Sequence, residues 1–174
     1  YYFERFALTY PTSTQLEYAY FYDGICYYNI SPASSLDQTY TEKAIQSFLL
    51  YINKFPQGAY IKESNEYIEK LRDKLEYKAY ANSKIYYNLE DYKAAVTAIK
   101  NCLKQYPDTK HREELLYLTF ESSFKLAENS VESKKEDRYD MAVDNYHAYI
   151  DEYPNGQWSK EAEKIFNQIQ KRTK

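Results

Sequence analysis

The stretch Tyr92-Lys93-Ala94-Ala95-Val96-Thr97-Ala98-Ile99-Lys100-Asn101-Cys102-Leu103-Lys104-Gln105-Tyr106-Pro107 decides how this chain is read. Tyr92, Ala95, Ile99 and Cys102 fall three or four residues apart, the spacing of one helix face, and Tyr106-Pro107 stops the helix because proline cannot continue it. The same ending recurs at Tyr10-Pro11, Phe55-Pro56 and Tyr153-Pro154, so four of the five prolines are spent in this way. Before Pro154 stand Tyr139, Ala142, Tyr146 and Tyr149; before Pro56 stand Ala44, Phe48 and Tyr51. An aromatic, small, large, small-to-medium, proline order, kept in register, predicts a repeat protein. The marks lie roughly 45 to 50 residues apart, long for a two-helix repeat of about 34 residues and natural where repeats carry insertions.

The order matches the second-helix half of a tetratricopeptide repeat, in which a small residue admits the partner helix closely and a large one fills the interface between repeats. First-helix halves are visible at Tyr20, Gly24 and Tyr27 and again at Tyr117, Phe120 and Phe124. The predicted fold is an all-α tetratricopeptide solenoid over residues 1–174, read as one domain, with a helix pair added at about 129–174. The chain opens inside a second helix at Tyr1 to Tyr10, so repeats are expected to precede it. A helix apolar nearly all round is expected from Ser13 to Asn29, and Thr39 and Glu42 have capping-box spacing for the next. No breaker interrupts residues 59–88, which predicts one unusually long helix. Leu89 to Asp91 then turns the chain, Tyr92 to Gln105 pairs with the long helix, and another helix follows from Thr109 to Glu128. Glu132 to Arg138, a charge run of mixed sign, reads as a solvated loop before a helix from Tyr139 to Glu152. Asn155-Gly156 leads into a last amphipathic helix, Trp158 to Lys171.

Composition narrows the function classes. Hydrophobic residues make up 44% of the chain while mean hydropathy is only -0.82, and 23 tyrosines reconcile the two. Such a chain buries ring faces and keeps hydroxyls at a wet edge. A net charge of -3 without clustered Lys and Arg gives no footprint for nucleic acid. Cys26 and Cys102 lie in separate helical patterns outside any CxxC or Cys/His cluster, and both are read as small packed hydrophobes that form no disulfide. Neither His111 nor His147 has a nucleophile or orienting acid at a useful spacing, and no phosphate loop, HExxH or EF-hand pattern occurs. The chain is therefore read as a non-enzyme, and no cofactor or metal is expected.

A partner-binding surface is better supported. First helices of such an array present a wall, whose positions here include Tyr77, Tyr80, Lys84, Tyr87 and Asn88, with Lys125 on the later helix. Tyrosines with one cation suit a peptide-gripping surface, since Tyr supplies contact area at low entropic cost. A second reading stays open: the same rings pack on the neighbouring repeat. Lys84 and Asn88, four apart, resemble half of the carboxylate clamp of cytosolic co-chaperone repeats. Ile25 with Asn29, and Ser122 with Lys125, do not complete it.

Several segments together resemble the BamD family, lipoproteins of the outer-membrane β-barrel assembly machinery. Glu17-Tyr18-Ala19 with Gly24-Ile25 is similar to that family's first-helix start and finish, and Leu36 to Thr39 to its acidic segment before the next helix. Leu71-Arg72-Asp73-Lys74-Leu75-Glu76, Ala81, Tyr86-Tyr87, Tyr92-Lys93-Ala94-Ala95 and Tyr106-Pro107-Asp108-Thr109 resemble its long helix, Tyr-Tyr pair, aromatic-x-Ala-Ala helix and Tyr-Pro-Asp-Thr ending. The resemblance covers roughly residues 1–127; Asp23 and Leu36 stand where the family tends to have Arg. It implies a lipid-anchored protein on the periplasmic face of the outer membrane, docking on the periplasmic domains of BamA through its C-terminal half and passing unfolded outer-membrane protein clients to it. The membrane is then met only through a lipid carried outside this chain. A generic repeat adaptor, or a cell-surface glycan- or peptide-binding repeat protein, is the alternative.

Overall fold

The computed structural model describes residues 1–172, and among them the chain forms eight α-helices and no strand. The helices are α1 (Tyr2–Thr9), α2 (Leu16–Ile30), α3 (Thr39–Lys54), α4 (Ile61–Asn88), α5 (Tyr92–Gln105), α6 (Arg112–Glu128), α7 (Glu132–Glu152) and α8 (Ser159–Arg172). The all-helical expectation holds, and α4 runs unbroken for 28 residues. Two compact units divide the chain, Tyr1–Lys78 and Ala79–Lys174.

In the first unit α2 packs on α1 and α3. Its core is Phe21, Ala44, Phe48, Tyr51, Ile68 and Leu71. Ala44 is fully buried, as the repeat register requires of the small residue at a helix crossing. The second unit packs α6 against α5, α7 and α8. Ala95, Ile99, Leu115, Phe120, Ala142, Tyr149, Ala162 and Ile169 fill its core without exposure. Ala95 and Ala142 thus repeat the part of Ala44.

The structure departs from the sequence reading in three respects: a helix boundary, a cap and the burial of a cysteine. Glu132 to Arg138 is the start of α7 and no loop. The segment holds good helix formers without Gly or Pro, and Lys135 pairs with Glu132 one turn away at 2.9 Å. The capping box at Thr39 and Glu42 does not form, because Gln38 is the N-cap and makes no side-chain cap bond. Asp37 instead accepts the Thr39 N–H at 3.0 Å, and the Gln38 amide ties back to the Ala33 and Leu36 carbonyls. Cys26 is exposed rather than packed, whereas Cys102 is buried; neither forms a disulfide.

The turn after α4 shows how one residue redirects the chain. Glu90 adopts φ 60, the left-handed region, while Asp91 N–H bonds to Tyr86 O and Glu90 N–H to Tyr87 O. This is a Schellman C-cap with glutamate where glycine is usual. Asp91 then caps α5 by accepting the Ala94 N–H at 3.1 Å.

Candidate functional site

The wall residues are placed by α4 and met by α6. Tyr80 and Tyr87, seven apart on α4, face Glu114 and Glu121, seven apart on α6. The Tyr80 hydroxyl donates to Glu114 Oε2 at 2.6 Å and the Tyr87 hydroxyl to Glu121 Oε2 at 2.9 Å. Lys84, between them, donates to Glu114 Oε1 at 2.6 Å and to the Tyr80 hydroxyl at 3.0 Å. His111 stacks on the Tyr80 ring, centroids 3.7 Å apart and planes 10° from parallel. Lys125 reaches Glu121 at 3.7 Å and lies over the Tyr92 ring. Tyr80 and Tyr87 are half-buried against the core of the second unit.

The electrostatics follow from this pairing. Burial works against the Glu114 charge, but hydrogen bonds from Lys84 and Tyr80 outweigh it and hold the carboxyl below its ordinary range. Burial likewise opposes the Lys84 charge, and Glu114 more than restores it. Burial, then the bond to Glu121, pushes the Tyr87 phenol well up. Lys84 is consequently engaged inside the chain, and with Asn88 exposed on the same helix it forms no clamp for a free carboxylate. Tyr77 is exposed and belongs to the first unit.

The acids that hold the wall escaped the sequence reading, although a signal was present: both Tyr–Glu pairs are 34 residues apart. A second feature was missed as well. Ile85, Tyr86 and Leu89, on the last turns of α4, expose half or more of their surface or close to it, at 50%, 43% and 70%. Beside them a shallow groove of about 450 Å3 is lined by Tyr86, Asp91, Lys93, Ala94, Thr97, Ala98 and Asn101. Apolar edges next to a floor of small residues suit a protein partner rather than a reacting small molecule. No group of acids, histidines and cysteines fit to hold a metal occurs among the described residues.

Helices packed in antiparallel succession within each unit, with tyrosines along their surfaces, give the chain the character of a helical-repeat protein. The sequence model of the outer membrane lipoprotein family YfiO matches residues 1–137 and again 79–173, and the chain belongs to that family. Overlapping matches are what internal repetition produces. A Caulobacter vibrioides protein named outer membrane protein assembly factor BamD is 24% identical over 164 residues, 94% of this chain and 50% of that protein. A Rickettsia prowazekii protein of the same name is 28% identical over 160 residues, 92% of this chain and 60% of that protein. The chain therefore spans between half and three-fifths of these relatives.

Proposed function

We propose that this chain is the repeat array of an outer membrane protein assembly factor, a non-enzymatic scaffold held by a lipid at the periplasmic face of the outer membrane. It docks on the periplasmic domains of a BamA-like barrel protein and presents unfolded client segments to it. Family membership carries the reading, together with two relatives named as assembly factors. It favours this role over a generic adaptor or a glycan-binding surface protein.

The supporting surface is the end of α4 with the adjoining face of α5. Ile85, Tyr86 and Leu89 offer exposed apolar anchors, and Ala94 and Ala98 let a partner backbone approach closely. Tyr80, Lys84 and Tyr87, bound to Glu114 and Glu121, stiffen the helix beneath, with Asn88 and Lys125 at its margin. Tyr77 contributes an exposed ring for a client segment in the first unit.

Tyr86→Glu with Leu89→Glu places charge on exposed positions, so the fold should hold. Calorimetry against the periplasmic domains of a BamA-like protein should show binding weakened by at least about 2 kcal/mol. Unchanged affinity would remove this surface from the interface. Tyr80→Glu with Tyr87→Glu, which buries charge against two acids, should instead disturb the helices by circular dichroism.

A further inference from the structure

The first unit holds a groove of about 630 Å3 whose chemistry differs from that of the α4–α5 surface. Helices α1 and α3 form its sides, contributing Phe3 and Glu4 from one and Lys43 from the other, and Tyr20, Asp23 and Tyr27 of α2 lie between them. Those three residues share one stripe of α2, at spacings of three and four.

Two carboxylates serve this space with little to neutralise them. Asp23 accepts one hydrogen bond, from the Ser47 hydroxyl at 2.8 Å to Oδ2. Glu4 forms no side-chain hydrogen bond or ion pair among the described residues. Both act on one ring: burial first, then Asp23 and Glu4, raise the Tyr27 phenol. The charged residues lining the groove are Glu4, Asp23 and Lys43, two acids against one base.

The ring face already receives a cation. Lys43 Nζ lies 5.8 Å from the Tyr27 centroid and 5.5 Å from that of Tyr40, and it forms no ion pair among the described residues. A lysine held only by ring quadrupoles is held weakly. Arginine is better suited to the place, since its flat guanidinium stacks on an aromatic face and offers forked donors to carboxylates.

We propose that this groove takes a basic side chain, preferably arginine, from an extended partner segment, the guanidinium lying on Tyr27 between Asp23 and Glu4 and displacing Lys43. Phe3 and Tyr20 would cover the aliphatic stem and a neighbouring apolar residue.

The test is a titration of isotope-labelled protein with acetyl-Phe-Arg-Phe-amide, followed by nuclear magnetic resonance, with acetyl-Phe-Glu-Phe-amide as the counterpart. The arginine peptide should shift amide resonances around Asp23 and Tyr27, and the glutamate peptide should not. Glu4→Gln with Asp23→Asn should weaken binding about tenfold. Lys43→Ala should tighten it about threefold by removing the internal competitor. If the double variant loses its helices by circular dichroism, Glu4→Gln alone, which removes no hydrogen bond, should still weaken binding by about threefold. Equal response to both peptides, shifts confined to other helices, unchanged affinity in the acid variants, or weaker binding by Lys43→Ala would each overturn the proposal. The last outcome would point to an acidic segment instead.

Discussion

Glu17 and Tyr51 form a lock that closes the junction between one helix pair and the next. The Tyr51 hydroxyl donates to Glu17 Oε1 at 2.9 Å, the same oxygen accepts the Ala59 N–H at 2.6 Å, and the hydroxyl accepts the Tyr60 N–H at 2.9 Å. In the second unit Glu113 and Tyr149 do the same for Gln157 and Trp158. These N–H groups precede α4 and α8, where no intrahelical acceptor exists. Gly58 and Gly156 complete the locks, since a Cβ at Gly58 would lie 2.7 Å from Glu17 Oε1 and one at Gly156 2.8 Å from the Tyr149 hydroxyl.

Removing the phenol oxygen at either lock leaves a half-buried carboxylate and an N–H short of a partner. Tyr51→Phe and Tyr149→Phe should each cost about 1 to 2 kcal/mol in urea denaturation, with the two losses adding. Burial above all, against the opposing Tyr60 N–H and with Glu17 assisting, raises Tyr51 to about 12. Since its unfolded value is 10.0, this contribution is whole below pH 10 and is lost as pH rises toward 12. Tyrosinate absorbance and helical signal should therefore change together in that window, and Tyr51→Phe should flatten the fall in stability.

Glu114 predicts the opposite pH dependence. Its folded pKa is depressed, so its contribution is present above the ordinary carboxylate value of 4.5 and fades as pH falls through the lower folded value. Glu114→Gln should cost about 1 to 2 kcal/mol at neutral pH and progressively less in acid. A cost that stays constant from pH 7 to pH 3 would count against this pairing as its source.

The left-handed residue after α4 carries strain that glycine would relieve. Glu90→Gly should stabilise the second unit by up to about 1 kcal/mol, the steric gain exceeding the added chain entropy. Thermal melts of the variant should shift upward.

Small residues at helix crossings admit no enlargement. Ala95→Leu should overpack a site without exposure and cost about 1 to 3 kcal/mol. An unchanged melt would displace Ala95 from the crossing.

The repeat register, the unbroken α4 and the alanines at the crossings were legible in the sequence. Helix periodicity, proline punctuation and side-chain size act over a few residues, and a linear pattern carries them. The run from Glu132 to Arg138 misled because charge reports solvent exposure, which an exposed helix turn satisfies as well as a loop. Tertiary structure alone decided the internal partners of the wall: Tyr80, Lys84 and Tyr87 bond to Glu114 and Glu121, which arrive from a helix some 34 residues away. It also decided the locks, for Tyr51 and Tyr149 share their register position with Cys102, where no phenol exists to reach the next helix and the Thr109 hydroxyl accepts the His111 N–H instead. Which polar groups find each other depends on distances set by packing, and packing is a property of the assembled helices rather than of their order in the chain.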